Sequence, residues 1–253
     1  MLPFVGFGHS HVVALAKGCH ALQQQGMLFG GMPIAGQFHY LYDEVFVPAF
    51  IGETGEPVLN PEILLKLIEN APRIVLLSIG GNEHNVLSII QLYRRYDFIL
   101  GEKPNLALDA NAEIYPEAMI RETVREWMAD SLKMLCALRA AADVPMVQFE
   151  PPPPLPVEHV LAYPQNFFKK AVDKSKLSSD LLRYKIWRIQ AGIYREFCAQ
   201  IGITYIAVPQ ELLGKNGTLV QAGWGRDATH ANEWFGQRMI EEAMRLLSSQ
   251  LSV

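Results

Sequence analysis

The sequence has few cysteines, no excess of basic charge and no long apolar run. Three cysteines are spread over 253 residues, whereas a disulfide-stapled mini-protein carries many cysteines in a short chain. The 22 basic and 26 acidic residues give a formal net charge of −4, so the basic surface typical of nucleic-acid-binding proteins is not expected. No segment reaches the ~20 apolar residues that a membrane span requires, so we expect no membrane span.

The composition is typical of a globular protein, because half of the residues are hydrophobic and disordered chains are poor in such residues. We find no internal repeat that would indicate a solenoid. The N-terminus lacks the basic and apolar regions of a signal peptide, and the odd cysteine count is typical of reduced thiols. These features predict a cytoplasmic protein, whereas the oligomeric state is left open.

Short apolar runs alternate with longer amphipathic segments along the whole chain. The runs predict five strands, at 3–7, 27–35, 73–79, 145–149 and 203–208. The amphipathic segments predict five helices, at 11–25, 61–70, 116–142, 179–201 and 231–249. This alternation predicts a single α/β domain over 1–253, with a parallel sheet between two layers of helices. The segments 82–115 and 150–178 are predicted to be long loops at the functional edge.

The polar residues that follow the predicted strands are the candidates for chemistry. Ligands of an open parallel sheet bind beyond the carboxyl ends of its strands. The residues that this rule selects, in chain order, are Ser10, Gly36, Asn82, Glu150, Asp227 and His230. A nucleophile, hydrogen-bond donors and an aspartate–histidine pair are therefore expected at one edge of the sheet.

These residue types answer the needs of an acyl-transfer reaction. A serine hydroxyl becomes a nucleophile when a neighbouring base takes its proton, and His230 is the candidate base for Ser10. Asp227 is expected to orient the imidazole. The backbone N–H groups of Ser10 and Gly36 and the side chain of Asn82 are the candidate donors to an oxyanion.

Four sequence blocks resemble those of the SGNH hydrolases, the superfamily of GDSL-like esterases and lipases. The blocks are GFGHSHVVAL with Ser10, PIAG with Gly36, SIGGNEHN with Asn82, and GRDATHANEWFG with Asp227 and His230. The resemblance implies a three-layer α/β/α sandwich with a flavodoxin-like, five-stranded parallel sheet of order 2-1-3-4-5. It also implies hydrolysis of carboxylic esters without a cofactor or metal. O-acyl groups on carbohydrate, or another small polar ester, are the expected substrates.

The chain departs from the family pattern at three places. His9 stands where the first block usually has aspartate, and Glu83 takes the acidic place of the third block. The glycine of the second block is assigned to Gly36, with Gly30 and Gly31 as alternatives. The residues predicted to contact the substrate are His9, His11, Glu83, His84, Glu150 and Tyr163.

Two other functions are compatible with the same residues. Histidine and carboxylate side chains are also metal ligands, and a metal-dependent phosphoesterase would use His9, His11, His84, Asp227 and His230. A non-catalytic carbohydrate-binding domain on the same scaffold is the second alternative.

Overall fold

A computed structural model describes residues 1–29, 31–51, 58–69, 71–91, 94–163 and 176–247. The strands are β1 Leu2–Gly8, β2 Leu28–Phe29, β3 Met32–Tyr40, β4 Phe50–Ile51, β5 Val58–Leu59, β6 Ile74–Ser78, β7 Tyr96–Asp97, β8 Glu113–Ile114, β9 Met146–Phe149 and β10 Thr204–Ile206. The α-helices are α1 Val12–Gln24, α2 Pro61–Ile68, α3 Glu83–Ser88, α4 Glu117–Trp127, α5 Ala129–Ala141, α6 Val157–Ala162, α7 Asp180–Ile201 and α8 Glu233–Leu247. Within these ranges, no helix has both the length and the apolarity needed to cross a bilayer.

The central sheet has six strands in the order β10-β9-β6-β1-β3-β2. All pairs from β10 to β3 are parallel, and these five strands have the 2-1-3-4-5 arrangement implied by the resemblance. The predicted count of five strands omits β2, a two-residue strand that pairs antiparallel with β3 at the edge. The predicted α/β sandwich is confirmed, with one additional edge strand.

The side chains of β1 alternate between the two faces of the sheet, as the pleat of a strand requires. Val5 and Phe7 join a core cluster that includes α7 and α5. Phe4 joins the cluster on the opposite face, together with Leu15 of α1 and Met239 of α8. Both faces of β1 are thus buried, which explains why its sequence is almost continuously apolar.

Helices α1 and α8 pack closely on the same face of the sheet. A Cβ atom at Gly236 would collide with the backbone of Ala14, and one at Gly18 would collide with the backbone of Gly236 and Gln237. Only residues without a side chain permit such an approach of two helix backbones. Since each helix begins at the carboxyl edge of the sheet, this contact draws together the segments that precede them, which contain Ser10 and His230.

Three predicted boundaries differ from the structure. The second strand continues to Tyr40, because β3 pairs with β1 along its whole length up to Gly8. The predicted helix 116–142 is divided at the fully buried Met128. The predicted loop 82–115 contains α3, β7 and β8, whereas 150–178 contains α6 and its residues 164–175 lie outside the described ranges.

Candidate active site

The loop before α8 forms a hydrogen-bonded aspartate–histidine pair. The Nδ1 atom of His230 lies 2.8 Å from Oδ2 of Asp227. The other carboxylate oxygen, Oδ1, accepts the backbone N–H groups of Thr229 and His230, each at 2.8 Å. The carboxylate therefore fixes both the loop and the ring. It also selects the tautomer that carries its proton on Nδ1 and leaves Nε2 as an acceptor.

The surroundings of this pair favour an ionised carboxylate and leave one ring nitrogen without a partner. Burial raises the pKa of Asp227, but the hydrogen bonds from the His230 side chain and the Thr229 backbone outweigh burial and lower the pKa below its usual value. The Nε2 atom of His230 is buried and has no hydrogen-bond partner in the described part of the chain. This nitrogen is thus able to accept a proton.

Ser10 lies in the short connection between β1 and α1, where two clefts meet. One cleft, of ≈ 680 Å³, contains Asn82 and is called the Asn82 cleft. The other, of ≈ 760 Å³, contains Asp227 and His230 and is called the His230 cleft. Ser10 lines both, so a group bound at this residue has access to the clefts that contain Asn82 and His230.

The backbone N–H of Ser10 is available to a ligand. The neighbouring N–H of His9 donates to the Ser78 carbonyl at 3.0 Å, and that of Val12 donates to the His9 carbonyl at 3.0 Å. No hydrogen bond of the described residues uses the N–H of Ser10. A free N–H beside the candidate nucleophile is one of the donors that an oxyanion requires.

A turn after β6 carries Asn82 into the cleft. The turn contains Gly80 and Gly81, whose φ angles of 66° and 100° are strained for residues with a side chain. The Oδ1 atom of Asn82 accepts a hydrogen bond of 3.1 Å from the side chain of Asn85. This bond leaves the Nδ2 group of Asn82 as a donor for a ligand.

Side chains from distant segments hold this turn in place. The N–H of Gly80 donates to Nδ1 of His9 at 2.7 Å, and the N–H of Gly81 donates to Oε2 of Glu83 at 2.7 Å. Ser131 of α5 and Gln190 of α7 donate to the same carboxylate at 2.8 and 3.1 Å. His9 and Glu83 therefore act as acceptors for the turn that positions Asn82.

The comparisons with known proteins agree on the fold. No protein-family model matches the sequence, and no curated protein matches it. A solved structure from Slackia heliotrinireducens, assigned to the SGNH hydrolases, superimposes with a TM-score of 0.52 at 10% identity, covering 96% of this chain and 97% of its own. The native aryl esterase of M. smegmatis superimposes with a TM-score of 0.50 at 12% identity, covering 99% and 100%. The chain has the fold of the SGNH hydrolases.

Within this SGNH fold, the assignment of Gly36 to the oxyanion site is wrong. The parallel register pairs Gly36 with Phe4, four residues before the carboxyl end of β1, which is a distance of roughly 13 Å along a strand. Its small size instead allows close contact between β3 and the backbone of Phe4. The alternative Gly31 precedes β3, at the opposite end of the strand, and Gly30 lies outside the described residues.

Just after the end of β3, another backbone N–H belongs to a residue that lines a cleft together with Ser10. The N–H of Leu41 donates to the carbonyl of Gly8 at 2.9 Å, which fixes the chain next to the end of β1. The next residue, Tyr42, lines the Asn82 cleft together with Ser10. No described hydrogen bond uses the Tyr42 N–H.

Two of the predicted substrate-contacting histidines are buried. The ring of His11 is 4% exposed and lies 5.0 Å from the ring of His230; burial, followed by the charges of His230 and His84, lowers its pKa well below the usual value. His84 is fully buried against Gln190, and burial lowers its pKa to about 3. His11 lines the His230 cleft beside the base, so its contact with substrate stays a prediction, whereas the prediction that His84 contacts the substrate is wrong.

Glu150 and Tyr163 line neither of the two clefts. Glu150 is 2% exposed, and its carboxylate accepts the backbone N–H of Val208, so the prediction that it contacts substrate is wrong. Tyr163 is exposed and packs its ring 4.8 Å from that of His159, whose Nε2 lies 3.1 Å from the carbonyl of Asp227. Tyr163 is therefore behind the base loop rather than in either cleft.

The five residues named for the metal-dependent alternative are not grouped as a metal site in the structure. Across the described ranges, no three His, Cys, Asp or Glu side chains are grouped as a metal ion would require. The Nδ1 atom of His9 accepts a hydrogen bond from the N–H of Gly80, and the Nδ1 atom of His230 is hydrogen-bonded to Asp227. These two nitrogen atoms are therefore engaged within the protein.

Sequence reasoning missed the residues that support the Asn82 turn. Gln148 of β9 binds both the N–H and the carbonyl of Ile79, each at 3.2 Å, and Tyr194 of α7 donates to the same carbonyl at 3.0 Å. A glutamine inside the apolar strand MVQF was the available signal, because a buried polar side chain requires a partner.

Proposed function

We propose that this chain is a serine hydrolase that cleaves carboxylic esters through an acyl-enzyme, with Ser10, His230 and Asp227 as its catalytic triad. The observation that carries the proposal is the Asp227–His230 hydrogen bond of 2.8 Å, together with an Nε2 atom that has no partner among the described residues and a cleft that His230 and Ser10 both line. The SGNH fold supports it, because known ester hydrolases such as the aryl esterase share that fold.

In the first half of the reaction, the hydroxyl of Ser10 attacks the ester carbonyl while Nε2 of His230 takes its proton. Asp227 stabilises the imidazolium that forms. The tetrahedral intermediate collapses, the bond to the alcohol breaks, and His230 returns the proton to the leaving oxygen. In the second half, His230 takes a proton from water while the water oxygen attacks the acyl carbon. The bond between that carbon and Oγ of Ser10 then breaks, His230 returns the proton to Oγ, and the acid leaves.

The negative oxygen of both intermediates needs donors that are already in place. The backbone N–H of Ser10 and the Nδ2 group of Asn82 are the proposed donors. The N–H of Tyr42 is the proposed third donor, in the role that the sequence assigned to Gly36. Each is free of other hydrogen bonds in the described part of the chain.

A fluorophosphonate probe, which reacts with activated serines, tests the assignment. We expect one labelled peptide, containing Ser10, and no labelling of the Ser10→Ala variant. The same variant should lose three or more orders of magnitude in kcat on a p-nitrophenyl ester, as removal of a triad member does in other serine hydrolases. Labelling at another residue, or a variant of near-normal activity, contradicts the proposal.

The other proposals are separated by simple measurements. O-acyl carbohydrate is the proposed natural substrate class, and release of acid from acylated sugars tests it. Hydrolysis that is lost with a chelator and restored by a divalent metal would favour the phosphoesterase. Glycan binding without any ester hydrolysis would favour the binding module. The cytoplasmic location stays a prediction, for which cell fractionation is the measurement.

A further inference from the structure

The two clefts that meet at Ser10 differ in the chemistry of their walls. The Asn82 cleft is bordered by three large apolar side chains that are half-exposed, Tyr42 at 59%, Val86 at 50% and Trp127 at 55%. The His230 cleft has more charged side chains, among them Lys17 and Arg226, beside the apolar Trp224. The Asn82 cleft also contains polar groups, but it is the more apolar of the two.

The position of the base decides which part of an ester enters which cleft. The leaving oxygen must receive its proton from Nε2 of His230, so the alcohol extends into the His230 cleft. The carbonyl oxygen must face the Asn82 amide and the Ser10 N–H. The acyl chain, which is attached to the same carbon, then extends into the Asn82 cleft.

The apolar wall of the Asn82 cleft is held in place by the fold. Phe50 lines this cleft, and the ammonium of Lys133 lies 4.7 Å from the centre of its ring. Met134 of α5 forms part of the lining and is 3% exposed. The volume of ≈ 680 Å³ is within the range of pockets that hold drug-sized ligands, roughly 300–1,000 Å³, and far exceeds what one methyl group fills.

We infer that the Asn82 cleft is an acyl-binding site that selects an apolar acyl group longer than acetyl. When an acyl chain covers exposed aromatic and branched side chains, apolar surface is removed from water, which stabilises the complex. The assignment of the acyl chain to this cleft rests on the proposed ester hydrolysis. The apolar side chains that border the cleft are an observation that does not depend on that proposal.

The test compares kcat/KM for p-nitrophenyl acetate, butyrate and hexanoate, which differ only in the acyl chain. We expect an increase of about two- to fourfold for each methylene that is buried. Trp127→Ala should reduce the hexanoate-to-acetate ratio about tenfold. The matched control is Met119→Ala, because Met119 is 51% exposed on the same helix and does not line the cleft; it should leave the ratio unchanged.

The outcomes separate this inference from the proposed function. A preference for acetate, or an unchanged ratio in Trp127→Ala, overturns the acyl site while leaving the hydrolase intact. If no ester is hydrolysed, the proposed function fails, and binding of octanamide measured by calorimetry decides the apolar cleft. Octanamide binding that weakens in Trp127→Ala and not in Met119→Ala supports an apolar-chain site, and absence of binding overturns it.

Discussion

The two sides of the candidate active site are built in different ways. In the loop that carries His230, every hydrogen bond to the Asp227 carboxylate comes from a residue within three positions. In the turn that carries Asn82, the supporting bonds span 71 residues from Gly80 to His9 and 107 residues from Gln190 to Glu83. The carboxylate that orients the base is therefore held by local hydrogen bonds, whereas the oxyanion side depends on contacts between distant segments.

This difference sets the expected response to substitution. A change in the base loop removes a chemical group that takes part in proton transfer. A change in the network around the turn displaces a donor that itself remains present. The first type of change should abolish turnover, and the second should reduce it by less.

Among the variants considered, Asp227→Asn in the loop that carries His230 is expected to have the largest effect on kcat. The new amide can still accept backbone N–H groups through its oxygen, but its NH₂ group faces Nδ1 of His230 and selects the wrong tautomer of the ring. We expect kcat to fall by about 10⁴-fold, as in other triads, with little change in the melting temperature. The control is Asp143→Asn at an exposed surface pair, and a loss of less than tenfold in Asp227→Asn contradicts the role of the pair.

The distant network is tested by Glu83→Ala. This variant frees the Gly81 N–H and the Ser131 hydroxyl, so the Asn82 donor is no longer held in position. We expect kcat to fall roughly 10- to 100-fold, less than the 10²–10³-fold that loss of an oxyanion donor costs, with KM within about threefold.

Conservative replacement separates positioning from a general loss of stability in this network. Glu83→Gln keeps an oxygen for the Gly81 N–H, so most of the kcat should return. A Glu83→Ala variant that melts at a lower temperature but keeps its kcat would show that the carboxylate serves folding alone.

The smallest effect is expected at Glu150, which lies outside both clefts. Burial raises its pKa from 4.5 to about 7, so the folded protein holds a proton that the unfolded chain has lost. Stability should therefore fall as pH rises from about 4.5 to 7, by up to about 3 kcal/mol. Glu150→Gln should remove this dependence and raise the melting temperature at pH 8 by several degrees.

Activity is the second measurement on this variant. Because Glu150 touches neither cleft, the ester kcat of Glu150→Gln should stay within about twofold of the unmodified protein. A larger loss of kcat would show that the Glu150 carboxylate contributes to the active site. A melting temperature with the same pH dependence as before would show that another group titrates in that range.

The predictions from sequence were accurate where the signal was local. Asn60 before Pro61 predicts the start of α2, and its side chain accepts the N–H of Glu62 as a helix cap. Gly202 ends α7 with a φ of 70°, the left-handed conformation that favours glycine. The spacing of Asp227 and His230 likewise predicts a pair that a short loop closes.

The errors occurred where the answer depends on partners far along the chain. The length of β3 is set by its pairing with β1 up to Tyr40, and a strand with Pro33 and Gly36 gives little sign of this from its own composition. The error in that boundary is the reason why Gly36 was assigned to the site. Burial of His84 and Glu150 follows from α7 and β10 covering them, which neither local sequence indicates.

The sequence by itself determined the alternation of strands and helices, the five-strand order through its resemblance, and the local Asp227–His230 pair. These features follow from periodicity and short-range hydrogen bonding. Only the tertiary structure decided which N–H groups stay free, how the turn at Gly80 and Gly81 is held, and that two unlike clefts meet at Ser10. The physical reason is that each of these depends on side chains and backbone groups that come together only when distant segments pack.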